Sequence, residues 1–364
     1  MGIIKKAAET MTSRERVLRT FAYEKTDRVP INYSANPTIH KKTMAAFDCD
    51  GNEEALLQAL GVDFRSTYVH YRGPLIYPEI LGASVNPMFG FYTKWIENEY
   101  GGYHDLCHFP LKDADDEEID AFKFPSADDF DYPSAIAKIN ACGEYALYCA
   151  SPGFADIINS TGQLMGMEDA LVQIHTKNAA TLNLIDRRHD LELVIVERLL
   201  DKAKGRIDFM WIGEDLGTQI APMIGLDLYR SVLRPRHQRF VDLAKSYNIP
   251  VMVHTCGSSS WVYEDFIEMG IAAVDALQPE ARDMSPEYLC RQFGKRLSFH
   301  GCISTAGALA YGKPEEVAKV CKDTLEIMRQ NGGYHFAPTH YIQDNTPVEN
   351  IIAMYQAAHD YGVW

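Results

Sequence analysis

Residues 250–257 read Pro-Val-Met-Val-His-Thr-Cys-Gly, and this stretch contains the pattern that decides the fold. Apolar residues stand on successive positions, as is typical of a strand buried on both faces of a parallel sheet. Polar residues and a glycine then end the run. Seven further short runs rich in apolar residues alternate with helical patterns, and several of them are also apolar on successive positions. The eight predicted strands are Val29–Tyr33, Val62–Val69, Tyr145–Ala150, Ile207–Ile212, Pro250–His254, Ala273–Leu277, Leu297–Gly301 and Tyr334–Ala337.

The predicted fold class is α/β, with a (β/α)8 TIM barrel, because the chain contains eight strand–helix units. An open doubly wound sheet is the alternative. No Gly-x-Gly-x-x-Gly motif follows the first run, so the sequence does not support a dinucleotide site.

We predict that residues 1–364 form a single barrel domain. Residues 1–11 are expected to be a loose leader, before a Thr12–Glu15 capping box opens a helix that runs to about Tyr23. The strand–helix rhythm is interrupted between Gly73 and Ser134, where aromatic and acidic stretches occur. This segment is predicted to be an inserted excursion after the second strand, lying over the barrel mouth.

The charge and the cysteine content exclude several classes of protein. The chain has 35 Lys and Arg against 50 Asp and Glu, a net charge of −15, which argues against nucleic acid and anionic membranes as partners. No apolar run reaches the ~18 residues of a membrane-spanning helix. The start Met1-Gly2 is not followed by the apolar core of a secretory signal, and eight cysteines are too dilute for a disulfide scaffold. We therefore expect a cytoplasmic protein with free thiols.

Reactive side chains in a barrel of this kind are expected where the strands end at the carboxyl face. The fifth predicted strand ends in His254 and Cys256, which are two residues apart and so point the same way on an extended segment. An imidazole nitrogen and a thiolate are ligands that suit zinc. The alternative is a buried cysteine beside a hydrogen-bonded histidine.

Other strand ends carry further candidates. Glu214 and Asp215 follow the fourth strand, His300 and Cys302 the seventh, and His340 the last. Each has an ordinary structural interpretation: the acids can cap a helix, Cys302 can belong to the core, and His340 can contact a substrate without a metal. These residues are expected to converge on one barrel mouth. Together they favour a metal site more strongly than any one of them does alone.

Several segments resemble the uroporphyrinogen decarboxylase superfamily, and in particular its methyltransferase-like branch of corrinoid-dependent enzymes. The resemblance covers nearly the whole chain and agrees with the barrel prediction. The segments that carry it are Thr12–Val17, Asp27–Pro30, Gly213–Gln219, His254–Gly257, Leu277–Pro279 and Gly332–Ile351.

The chain departs from the decarboxylases of this superfamily at two places. They clamp tetrapyrrole carboxylates with an arginine-rich segment after the first strand, where this chain has residues 34–40 without arginine. They also place an aspartate beside the second strand, where this chain has Tyr68, Val69, His70 and Tyr71. Both differences predict weak or no decarboxylation of uroporphyrinogen.

The resembled methyltransferases have His-x-Cys after the fifth strand and a cysteine after the last, and their zinc binds the methyl-accepting thiol. Here His340 stands in place of the last cysteine. The resemblance therefore implies one zinc held by His254, Cys256 and His340, with Glu214 or a water in the fourth place and Cys302 in reserve.

The resemblance also implies roles for further residues and for partners. Glu214 and Asp215 are predicted to act as catalytic acid or base. The predicted substrate-binding residues are Tyr71, Gln219, Gln278 and His300. The corrinoid (cobalamin) is expected on a separate corrinoid-binding protein, and a homodimer is one assembly that this interpretation allows.

The leading hypothesis is a methyltransferase that moves a methyl group between a corrinoid protein and a small acceptor, such as a thiol or tetrahydrofolate. The alternative is a uroporphyrinogen decarboxylase-like lyase acting on another carboxylated substrate. A third hypothesis is a carrier of a corrinoid or tetrapyrrole that has no turnover. Zinc content separates the first two, and methyl transfer separates the first from the third.

Overall fold

Seven of the eight predicted runs form strands of one curled parallel sheet. The computed structural model describes residues 3–49 and 51–364, so the expectation about Met1-Gly2 lies outside the described residues. The ten strands of the described residues are β1 (Phe64–Ser66), β2 (Ser84–Val85), β3 (Tyr92–Asn98), β4 (Gly101–His108), β5 (Ala146–Ala150), β6 (Phe209–Gly213), β7 (Val251–His254), β8 (Ala273–Leu277), β9 (Ser298–Ile303) and β10 (Tyr334–Pro338).

Helices connect successive strands and cover the outside of the sheet. The predicted Thr12–Glu15 capping box is confirmed at the start of α1, which ends at Phe21. In chain order the α-helices are α1 (Ser13–Phe21), α2 (Pro37–Ala46), α3 (Glu53–Leu60), α4 (Asp116–Ala121), α5 (Tyr132–Ala141), α6 (Ile158–Met165), α7 (Met167–Thr176), α8 (Ala179–Ala203), α9 (Leu226–Leu228), α10 (Arg234–Ser246), α11 (Tyr263–Met269), α12 (Pro286–Phe293), α13 (Ala308–Tyr311), α14 (Pro314–Met328) and α15 (Val348–Tyr361).

The main sheet has seven parallel strands in the order β1-β5-β6-β7-β8-β9-β10. Every residue of β6, β8, β9 and β10 is buried, as expected for strands of a parallel sheet that is covered on both faces. Because all seven strands are parallel, their carboxyl ends meet at one rim, where the candidate site residues follow them.

The first predicted strand, Val29–Tyr33, forms a single bridge and is not a regular strand. Ile31 pairs in parallel with Phe336 of β10, and its carbonyl accepts a hydrogen bond from Asp63, just before β1. Pro30 has no N–H to donate to a ladder, which limits regular pairing here. The structure therefore supports a curled seven-stranded half-barrel whose two edges both contact this segment.

The segment between Gly73 and Ser134 contains β2, β3 and β4, which form a separate antiparallel sheet, and α4. Leu111 and Ile119 of this segment pack with Leu164 and Leu184, on helices α6 and α8. The segment is therefore anchored by apolar contacts to helices that follow β5.

The amino-terminal residues 3–11 contact the last helix and a buried arginine. Ile4 is buried, and the backbone N–H of Lys5 donates to the Gln356 side chain at 2.8 Å. Glu9 pairs with Arg28 at 2.7 Å. In the part of the chain that the structure describes, no helix has both the length and the apolar character that crossing a bilayer requires.

Candidate metal centre

The loop that leaves β7 carries two of the candidate ligands. His254 is the last residue of β7 and pairs in register with Asp275 on β8. Cys256 lies two residues later, and its backbone N–H donates to Asp215 at 2.9 Å. The position of the thiol is therefore set by a carboxylate that follows the neighbouring strand β6.

Asp275 lies between two histidines and accepts a hydrogen bond from each. Its Oδ2 is 2.6 Å from Nδ1 of His254, and its Oδ1 is 2.5 Å from Nδ1 of His300. Burial alone would raise the pKa of Asp275, but the two imidazoles hold it well below its usual range. Burial alone would lower the pKa of His254, but Asp275 and Cys256 raise it well above its usual value. Asp275 thus occupies Nδ1 of His254 and directs Nε2 toward the cavity.

The side chains of His254, Cys256 and His340 place one donor atom each within 4.8 Å of one another. The Cys256 Sγ to His254 Nε2 distance is 3.4 Å. Two ligands of one tetrahedral zinc, with bonds of 2.0–2.3 Å, lie about 3.3–3.8 Å apart. A histidine whose second nitrogen is held by a carboxylate is typical of zinc sites. The donor set and the orienting carboxylate therefore fit zinc.

Burial changes the ionisation of the other two donors as well. Burial raises the pKa of the Cys256 thiol, although His254 partly offsets this effect. Burial and the nearby His254 lower the pKa of His340. A lowered pKa favours the neutral imidazole, the form that binds metals.

Three adjoining cavities open at this rim and share Tyr341. The smallest, about 100 Å³, reaches His254, Asp275, His300 and His340. A second of about 390 Å³ reaches His254 from the side of Asp215, and a third of about 570 Å³ extends toward α2 and α3. The second and third are of a size that holds small molecules.

Glu214 and Asp215 have different environments although they are adjacent. The Glu214 carboxylate accepts hydrogen bonds from the backbone N–H groups of Ile157 and Ile158 and is 3.1 Å from His237. Burial raises the pKa of Glu214 to about 8. Its contacts anchor the loop before α6, and the structure does not bring it to the three donors. Asp215 lines the 390 Å³ cavity, with Oδ1 3.9 Å from Nε2 of His254.

Two of the predicted substrate-binding residues lie beside the site. The Oε1 atom of Gln278 accepts the backbone N–H of Gly257 at 2.6 Å, so this side chain supports the loop that holds Cys256. His300 is buried at the floor of the smallest cavity, with Nε2 3.0 Å from Asn32.

The remaining predicted residues make other contacts. The hydroxyl of Tyr71 donates a hydrogen bond to the backbone carbonyl of Pro74. Gln219 is exposed, and its backbone carbonyl accepts a hydrogen bond from the backbone N–H of Arg282. Cys302 is buried in the core, and burial raises its pKa well above the usual value. Cys302 does not belong to the donor cluster found among the described residues.

Sequence reasoning missed two residues that shape the site. Asp275 interrupts the apolar run of β8, and a charged residue inside such a run is a signal that could have identified it. Asn159 donates to Oδ2 of Asp215 at 2.9 Å, and no feature of the sequence marked it.

Comparison with known proteins assigns the family. The uroporphyrinogen decarboxylase (URO-D) family model matches residues 163–361, more than half of the chain. The chain belongs to the uroporphyrinogen decarboxylase family. The matched region includes the donors His254, Cys256 and His340 and the orienting Asp275. The superfamily predicted from the sequence is thereby confirmed.

A solved structure of a methyltransferase from Methanosarcina mazei superposes on this member of the uroporphyrinogen decarboxylase family with a TM-score of 0.66. The two are 16% identical, and the alignment covers 97% of this chain and 99% of that chain. This likeness shows a shared fold along the whole length. A comparison with curated proteins found no match.

Proposed function

We propose that this protein is a zinc-dependent methyltransferase that moves a methyl group between a corrinoid protein and a small acceptor such as a thiol or tetrahydrofolate. The observation that carries the proposal is the convergence of His254, Cys256 and His340 at one rim, with Asp275 orienting the first. Such a set with one position left open is typical of catalytic zinc sites.

In this proposal His254, Cys256 and His340 hold the metal. When bound, zinc supplies Lewis acidity that keeps a coordinated thiol deprotonated near neutral pH. The fourth position is left to the acceptor or a water, because both oxygens of Glu214 are occupied by Ile157, Ile158 and His237.

The protein's own residues position the reactants. Asp275 fixes the ring of His254, and Gln278 and Asp215 hold the backbone on either side of Cys256. Of the two predicted catalytic carboxylates, Asp215 is the one proposed to face the entering substrate, since it lines the cavity while Glu214 does not. Glu214 is assigned to positioning of the loop before α6.

The acceptor is proposed to enter through the 390 Å³ cavity beside His254, and the corrinoid is proposed to arrive on a partner protein at the same rim. Ser34, His40 and Tyr68 line the 570 Å³ cavity where related decarboxylases are expected to clamp tetrapyrrole carboxylates. The absence of arginine from residues 34–40 supports a methyltransferase over a porphyrinogen decarboxylase.

The deciding experiment combines metal analysis with methyl transfer. Protein purified without chelator is expected to contain one zinc per chain and to transfer methyl from methylcobalamin to 2-mercaptoethanol. Cys256→Ser is expected to lose both properties, because a neutral hydroxyl replaces a thiolate ligand. Cys107→Ser, on strand β4 away from the donors, is the matched control and should keep both. Turnover of a carboxylated substrate without zinc would favour the lyase instead.

A further inference from the structure

Arg188, on α8, is a buried arginine that is only partly paired. It is 4% exposed, and its Nε donates to Glu192 at 3.1 Å. Its Nη1 is buried and has no hydrogen-bond partner within residues 3–49 and 51–364. The guanidinium carbon lies 3.8 Å from the centre of the Phe89 ring, which holds the planar group in place.

A second buried arginine shows what complete pairing looks like in this fold. Arg28 is 1% exposed, and each of its three guanidinium nitrogens has a partner: Glu9, Asp63 and the carbonyls of Val29 and Gly61. A buried N–H without a partner is unfavourable, so such groups call for a ligand or other explanation. The contact with Glu192 satisfies Nε of Arg188 but leaves its buried Nη1 without a partner among the described residues.

Arg188 lines the same 390 Å³ cavity as His254 and Asp215. Gln163 and Asn86 line it too, and each carries a side-chain NH2 group that can donate hydrogen bonds. The Asn86 oxygen is already bound to backbone N–H groups, so its NH2 group is the free end. The cavity is thus lined both by His254, a proposed metal ligand, and by hydrogen-bond donors that include the guanidinium of Arg188.

The charges around this cavity limit the anion that it can hold. Asp156 and Asp215 also line it, so a multiply charged anion would be repelled. Burial and the neighbouring Glu214 raise the pKa of Asp156 well above its usual value, which reduces this repulsion for a single negative charge. A planar guanidinium matches a carboxylate in shape and can donate two parallel hydrogen bonds to it.

We propose that the cavity binds a small monocarboxylate, with its carboxylate on Arg188 and its reacting end toward His254, Cys256 and His340. The direction of the reacting end rests on the proposed function, whereas the carboxylate site rests on Arg188 alone. The segment between β2 and β3 takes part, since it supplies Phe89 and Asn86 to this site.

The test compares 3-mercaptopropionate with its methyl ester, which keeps the thiol and removes the charge. Calorimetric titration of the protein as isolated is expected to show about 10- to 100-fold tighter binding of the acid, as for hydrogen bonds to a charged group. Arg188→Gln should abolish this preference. Arg198→Gln is the matched control, because Arg198 lies on the same helix in an exposed pair with Asp128.

Loss of Arg188 leaves Glu192 unpaired, so folding is measured for each variant by circular dichroism. If Arg188→Gln does not fold, the double variant Arg188→Gln, Glu192→Gln, which keeps an uncharged pair, takes its place. Equal binding of acid and ester by the unmodified protein, or an undiminished preference in a folded Arg188 variant, would overturn the proposal.

Repeating the titration after chelator treatment separates this inference from the methyltransferase proposal. The preference for the acid is expected to survive metal removal, because Arg188 does not depend on the metal. A protein with the Arg188-dependent preference but no methyl transfer would contradict only the proposed activity. A protein that methylates acid and ester equally well would contradict only the carboxylate site.

Discussion

Asp275 Oδ2 lies 2.6 Å from Nδ1 of His254, and this contact leaves Nε2 of the ring facing Cys256 Sγ at 3.4 Å. Without the carboxylate, the ring could rotate or carry its proton on the wrong nitrogen. Asp275 is therefore a positioning residue for the proposed zinc ligand.

We expect Asp275→Asn to lower zinc affinity by about 10- to 100-fold, which is usual for a partner that orients a metal-bound histidine. Competition with a chromogenic chelator measures this affinity. Asp265→Asn serves as the control, because Asp265 is equally buried but pairs with Arg230 and Arg234 away from the site. If Asp275→Asn binds zinc as tightly as the control, the orienting role is wrong.

His340 and Cys302 compete for the third position of the predicted site, and the structure places only His340 near the other donors. We expect His340→Ala to weaken zinc binding strongly and Cys302→Ser to leave one zinc per chain. Cys302→Ser should instead lower the free energy of unfolding by about 1–3 kcal/mol, since it buries a hydroxyl among apolar side chains. Zinc analysis together with urea denaturation distinguishes these outcomes; zinc lost from Cys302→Ser but kept by His340→Ala would reverse the assignment.

Asp63 is the central carboxylate of a buried ion-pair cluster. Its oxygens lie 2.6 Å from Arg16 and 2.7 Å from Arg28, and it accepts the backbone N–H of Ile31 at 2.8 Å. Burial alone would raise the pKa of Asp63, but Arg28 and Arg16 lower it below its usual value. A lowered pKa in the folded state means that the stabilisation is present above the unfolded value and is lost as the pH falls through the folded value.

We therefore expect Asp63→Asn to lower the free energy of unfolding at pH 7 by about 3–5 kcal/mol, because two buried guanidinium groups each lose one carboxylate partner. The acid-induced loss of stability below about pH 4 should also become shallower than in the unmodified protein. Urea denaturation across this pH range measures both effects. Asp128→Asn, in an exposed pair with Arg198, should change stability by about 1 kcal/mol or less. Equal effects of the two substitutions would contradict the cluster's role.

Uroporphyrinogen is expected to be a poor substrate or none. Residues 34–40 contain no arginine, so the carboxylates that the decarboxylases are expected to clamp with this segment would lack those partners. Leaving a charged group buried without a partner costs several kcal/mol, which corresponds to a loss of affinity of several orders of magnitude. Product analysis by chromatography, with an authentic decarboxylase assayed in parallel, tests this expectation. Efficient conversion by the purified protein would contradict it.

Much of the fold could be predicted from local patterns. Several of the runs that became the main sheet are apolar on successive positions, because helices cover one face of the sheet and the interior covers the other. The run Val29–Tyr33 has a similar pattern, which predicted a strand, but it forms only one bridge. The reason is Pro30, which has no N–H for regular strand pairing. The apolar character of a segment does not show how many hydrogen bonds its backbone can form with neighbouring strands.

The sequence by itself determined that His254 and Cys256 share one side of a strand end, because their spacing of two is set by strand geometry. It also placed His340 after the last strand, so that parallel pairing brings it to the same rim. Only the tertiary structure decided that Glu214 turns to the loop before α6 and that Asp275 orients His254. It alone brought Arg188 to the same cavity as His254. These contacts join residues that are far apart in the chain. They are set by how separate strands and helices pack together, and the spacing of residues within one segment does not encode that packing.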